Sequence, residues 1–174
     1  MVFQPVLEAV ARIVPTVAFV DDGNPVGRAE HILEAVLVFL ELCKADGRNL
    51  EVAPAKCQVY SRNHAVGAHV AAELGFQHAE SGVVACGVPI GEPQFVADTI
   101  KERADGVIAE VDRLMALPAP VTSQMKWSML QSSLAVRMEH LKRTVPWDLL
   151  AADTRRVERA VQGAAAAIFQ LPAD

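Results

Sequence analysis

Asp21 and Asp22 stand side by side directly after the apolar run Val17-Ala-Phe-Val20 and directly before Gly23. A carboxylate at the end of an apolar strand lies at the edge of a dry surface, where it is unfavourable unless it is paired or bound to a metal. Carboxylate oxygens are the ligands that Mg²⁺ selects. Asp22-Gly23 also reads as a two-residue hairpin turn, with glycine supplying the positive φ, so a solvated turn would account for Asp22 but not for Asp21. Successive strand residues point to opposite faces, and a two-metal phosphoryl-transfer site would therefore want a further carboxylate from a neighbouring strand.

The chain that must position these acids has 174 residues, of which 52% are hydrophobic, enough for one core with a packed appendage. Cys43, Cys57 and Cys86 form no C-x-x-C pair, and three is an odd number for a disulfide framework. Glu8 and Arg12 interrupt the apolar start, and no membrane-length apolar run follows. A soluble chain in an intracellular, reducing compartment, with no membrane partner, is the expectation. The net charge of −5 is unevenly distributed. Residues 1–121 hold 9 Lys and Arg against 16 Asp and Glu, whereas residues 122–160 hold 7 against 4. That late basic excess is either a solvated helix face or a phosphate-contacting surface.

Helical spacing predicts a short helix over 3–14, ended by Pro15, and a long one over 28–45 with Gly47 as its stop. Short extended pieces are expected at 50–52 and 57–60, then an Ala-rich helix over 65–74 closed by Gly75. Gly82 to Gly91 reads as a second hairpin. Beyond it the pattern is helical: 95–115, then a continuous helix capped by Thr122 or Ser123 with Met125, Met129, Leu130, Leu134, Met138 and Leu141 on its apolar side, then a last helix toward Phe169. The fold class expected is α+β, a small mixed part over 1–91 followed by a helical part over 92–174.

Three segments in order carry a resemblance: Phe19-Val-Asp-Asp22, Gly47-Arg-Asn-Leu-Glu-Val-Ala-Pro-Ala-Lys-Cys57 and Gly82-Val-Val-Ala-Cys-Gly-Val-Pro-Ile-Gly91. They succeed one another as in the palm of reverse transcriptases, RNA-directed DNA polymerases, and resemble most those of non-LTR retrotransposons. The stretch from Gln124 through Arg143-Thr-Val-Pro146 to Phe169 looks like the helical thumb that follows. The resemblance implies a partial polymerase palm with a thumb-like bundle, and metal-dependent nucleotidyl transfer as the chemistry of the complete enzyme. Asp21 would match the metal-binding acid and Asp22 its neighbour, with Mg²⁺ or Mn²⁺ as cofactor. Lys56 would match the lysine proposed to protonate departing pyrophosphate. Gly87, Val88, Pro89, Ile90 and Gly91 would match the primer grip, and Lys126, Arg137, Lys142 and Arg143 would contact phosphates of a template-primer nucleic acid.

The family places a further acid and a nucleotide-positioning segment upstream of the acid-pair hairpin, whereas only Met1 to Val20 precede it here, so this chain is expected to be inactive by itself. Asn24-Pro25 also departs from the family, because Pro25 removes a ladder donor. The alternative is a non-catalytic remnant or helical interaction module, prone to self-association through an exposed palm edge. Cys57, His64, His69, His78 and Cys86 fit no zinc spacing.

Overall fold

Proline, glycine and the apolar spacing divide the chain into short elements first and long helices afterwards. A computed structural model describes residues 4–19, 22–44 and 52–170, the side chains of 17–19 and 22 excepted. Two compact units result, residues 1–92 and 93–174.

In the first unit, helix α1 (Gln4–Ala11) buries Val6 and Val10. Strands β1 (Thr16–Phe19) and β2 (Asp22–Pro25) follow as an antiparallel pair, Thr16 opposite Pro25 and Phe19 opposite Asp22. Pro25 is tolerated because it closes a two-stranded ladder, which the next residue extends by a Val26 N–H bond to the Pro15 carbonyl of 2.8 Å. Helix α2 (Ala29–Lys44) lies against α1, and Val10, Val14 and Ala35 form their shared core with Ile13, Ile32 and Phe39. The expected helix end and extended piece between 45 and 51 lie outside the described residues.

A single 3-10 turn, Pro54–Lys56, leads into β3 (Gln58–Tyr60). Helix α3 (His64–Leu74) starts at Asn63, whose side-chain oxygen accepts the Val66 N–H at 3.3 Å. It closes at Gly75, φ 67°, with Gly75 N–H on the Ala72 carbonyl and Phe76 N–H on that of Ala71. That reversal sets β4 (Gln77–Ala79) parallel to β3, a βαβ pairing the sequence pattern did not announce. β5 (Gly82–Ala85) and β6 (Val88–Gly91) form the second antiparallel hairpin. Its two-residue turn has Cys86 at φ 48° and Gly87 at φ 80°, the left-handed pair that a tight hairpin of native twist requires.

The second unit is helical. α4 (Pro93–Met115) begins with proline at its first position and buries Val96, Ile100, Ala104, Val107, Val111 and Leu114 on one stripe. It packs on α7 (Trp147–Phe169), which buries Leu150, Thr154, Val157, Ala164 and Ile168. The connection between them is not the continuous helix expected. It is α5 (Ser123–Met129), a π turn over Leu130–Leu134, and α6 (Glu139–Thr144). Thr122 caps α5, its hydroxyl accepting the Met125 N–H at 3.2 Å. Within the π turn the Ala135 N–H reaches back five residues to the Leu130 carbonyl at 2.9 Å. The Ser132 hydroxyl donates to the Ser128 carbonyl at 2.6 Å, a side-chain bond of the kind that bends helices. No helix among the described residues is long and apolar enough to cross a membrane.

Candidate functional site

The acid pair lies on the β1–β2 hairpin, but the turn is not Asp22-Gly23. Because Phe19 pairs with Asp22, only Val20 and Asp21 remain between the paired strand ends, and both lie outside the described residues. Asp22 opens the returning strand, and Gly23 sits within it, opposite Ala18. Register overrode the local turn signal: Asp22-Gly23 as the loop would shift every pair of the ladder. A Cβ on Gly23 would meet Leu7 Cδ2 of α1 at 3.8 Å, so α1 backs the hairpin.

Two residues after Asp22, the Asn24 side-chain N–H approaches Cys86 Sγ at 3.5 Å. Cys86 occupies the turn of the second hairpin, beside Gly87. The returning arm of the acid-pair hairpin therefore touches the tip of the hairpin that carries the primer-grip-like residues. Of those residues Pro89 is buried opposite Val84, Ile90 is exposed, and Val88 and Gly91 are half-buried. Lys56 is exposed at the end of the 3-10 turn. Beside it, burial raises the Cys57 thiol pKa above its ordinary value, so this cysteine is held as a neutral thiol.

The donor chemistry of Asp21 and Asp22 fits Mg²⁺ or Mn²⁺. Among the described residues, no group of three or more His, Cys, Asp or Glu side chains could hold a metal ion. His64, His78 and Glu92 do come together: the two rings meet edge to face with centroids 6.3 Å apart, and His64 Nε2 stands 3.6 Å from Glu92 Oε1. Among the described residues His78 Nε2 is buried without a hydrogen-bond partner, against the space that a Cβ on Gly67 would fill. Sequence spacing could not find this grouping, since β4 carries His78 back to the first turn of α3.

The four cations assigned to phosphate contact are mostly engaged within the second unit. Lys126 Nζ donates to the Met115 carbonyl at 2.7 Å, closing the end of α4. Arg137 Nη1 bonds the Glu110 carboxylate, at 2.9 and 3.0 Å to its two oxygens. Lys142 Nζ bridges Glu139 at 2.9 Å and Glu158 at 3.1 Å. The hydrogen bond from Lys142 is the main cause that lowers the Glu139 carboxyl below its ordinary range, and its converse raises the Lys142 ammonium. Arg143 is exposed, and its charge adds a smaller contribution to the lowering of the Glu139 carboxyl. Arg156 joins Asp105 to Asp153, and hydrogen bonds to both raise its pKa.

The fold is thus a mixed α+β unit with two touching hairpins, followed by a helical unit in which Arg113, Arg137, Lys142 and Arg156 are ion-paired. The chain matches no protein-family model, no curated protein and no solved structure.

Proposed function

We propose that this chain is a palm-and-thumb portion of a reverse-transcriptase-like polymerase, supplying part of a metal-dependent nucleotidyl-transfer site. The observation that carries the reading is the contact between two hairpins 62 residues apart in sequence, Asn24 against Cys86. Such a contact is what a polymerase palm needs, because the primer terminus must be held next to the metal-bearing acids. Asp21 and Asp22 offer the carboxylates, while Gly87 to Gly91 offer a hairpin with small residues that a primer backbone can approach. Lys56 is the candidate proton donor toward pyrophosphate. When bound, Mg²⁺ or Mn²⁺ would neutralise the charge that develops on the attacking and leaving oxygens. A two-metal site of this kind wants a third carboxylate beside Asp21 and Asp22.

Primer extension on an RNA template with Mg²⁺ or Mn²⁺ tests this. These 174 residues alone should incorporate no nucleotide. Incorporation that disappears in Asp21→Ala would overturn the incomplete site. A second reading, a non-catalytic helical interaction module, is favoured by one observation: the ion pairs that occupy Arg137 and Lys142. Salt-steep binding of primer-template duplex supports the polymerase reading, and salt-insensitive or absent binding supports the module.

A further inference from the structure

The helical unit carries a groove that the polymerase reading leaves unused. It encloses about 320 Å³ between the end of α4 and the α5 to π-turn stretch. Along one wall stand Glu110, Arg113, Leu114 and Leu117, and along the other Met129, Ser133, Leu134 and Arg137. On each wall the spacing covers about two helical turns, ~10 Å of length. A trough of that form between two helices receives the i, i+3, i+4 and i+7 side chains of a third.

Leu130, Leu134 and Met138 share one helical face and point into the core, whereas Met129, a helical step of about 100° before Leu130, is turned out of it. Of the residues lining the groove, Met129 is 50% exposed and Leu117 38%. Unbranched thioethers adapt to more than one partner shape, which is why methionine is frequent on docking surfaces.

The rim gives the sign of the partner. Glu110 is shared by two guanidiniums, Arg137 at 2.9 Å and Arg113 at 3.9 Å, and the Arg113 side chain is 75% exposed. Two cations facing one carboxylate leave the rim positive, with Arg113 only loosely held. We propose that this groove docks an amphipathic helix of a partner protein, with apolar side chains laid on Leu117 and Met129 and a carboxylate paired to Arg113. A nucleic-acid strand suits it less, since a phosphate backbone has no apolar surface to lay on this floor and Arg137 is already paired.

The test uses the full chain with ¹³C-labelled methionine methyl groups and two synthetic helical peptides. Both carry Leu at i, i+3, i+4 and i+7. One has Glu at the flanking positions and the other has Lys there. The Glu peptide should shift the Met129 signal, saturating in the micromolar range, and leave buried Met138 unmoved. Arg113→Glu, at an exposed position, should weaken the Glu peptide about fivefold and strengthen the Lys peptide comparably. Met129→Lys should remove binding of both. The proposal is overturned if neither peptide moves Met129 at millimolar concentration, or if Arg113→Glu leaves the preference unchanged. It is also overturned if primer-template duplex displaces the Glu peptide while moving the same methyl signal, which would make the groove a nucleic-acid surface.

Discussion

If the helical unit meets nucleic acid at all, its cations must first leave their acids, and that makes Glu110→Gln the informative perturbation. Arg137 holds Glu110 at 2.9 Å, and Lys142 holds Glu139 and Glu158 at 2.9 and 3.1 Å. A cation neutralised by a neighbouring carboxylate releases few counterions from a phosphate, whereas each free one contributes about 0.9 to the slope of log affinity against log salt. Glu110→Gln should therefore steepen that slope by about 0.9. Between 200 and 50 mM salt this amounts to about 3.5-fold more gain in affinity than the parent chain shows. Glu139→Gln with Glu158→Gln should add a second increment of about the same size through Lys142. The pairs are largely solvent-exposed, so the substitutions should change folding stability little. Fluorescence anisotropy of a labelled primer-template across that salt range measures the slopes. A parent slope already near 3.6, the value for four phosphate contacts, and unaltered by the substitutions, would refute the idea that these pairs hold the cations back.

Three further outcomes concern stability, each read by thermal or denaturant unfolding. Gly106→Ala and Gly163→Ala should each stabilise by about 0.5–1 kcal/mol, because both are helical with open space where a Cβ would go. Gly67→Ala should instead destabilise by about 1–2 kcal/mol, since its Cβ would lie 2.7 Å from His78 Nε2, and in a His78→Ala background the loss should shrink or reverse. Thr154→Val should be neutral or stabilise by up to about 1 kcal/mol, because the fully buried Thr154 hydroxyl has no hydrogen-bond partner among the described residues; a loss above about 1 kcal/mol would reveal one. Finally, Glu139 is depressed and Lys142 raised, so their pair contributes above the ordinary carboxyl pKa of 4.5 and below the ordinary ammonium pKa of 10.5. That contribution fades as pH falls through the lowered Glu139 value or rises through the raised Lys142 value, and the stability difference between the parent chain and Lys142→Met should fade at the same two ends.

Elements fixed by local chemistry were legible in the sequence. The apolar stripe of α4, the Gly75 closure of α3 and the turn preceding Gly87 each follow from residues within a few positions of one another. Elements fixed by pairing were not. Gln77-His-Ala79 has neither alternation nor β-branched residues, and it becomes β4 only because α3 returns the chain beside β3. Asp22-Gly23 carries a strong turn signal, yet the pairing of Phe19 with Asp22 and of Ala18 with Gly23 places both residues within the returning strand. In the long helix expected after Thr122, the six apolar positions fall into two sets at about 100° per residue, 125 and 129 against 130, 134, 138 and 141, and only the second set is buried. The π turn over Leu130–Leu134 left no mark in that pattern.

The same distinction governs the charges, and it changes what a basic segment means. Residues 122–160 are basic when counted alone, with 7 Lys and Arg against 4 Asp and Glu. Yet Arg137 is paired by Glu110, 27 residues earlier, and Arg156 by Asp105, 51 residues earlier, both from α4. Over residues 93–174 there are 10 cations and 10 anions. The excess therefore belongs to the counting window, and helix packing cancels most of it before any partner arrives. A phosphate must compete with a carboxylate already held at 2.9 Å, so nucleic-acid contact by this unit would be a displacement reaction, favoured only where several phosphates act together.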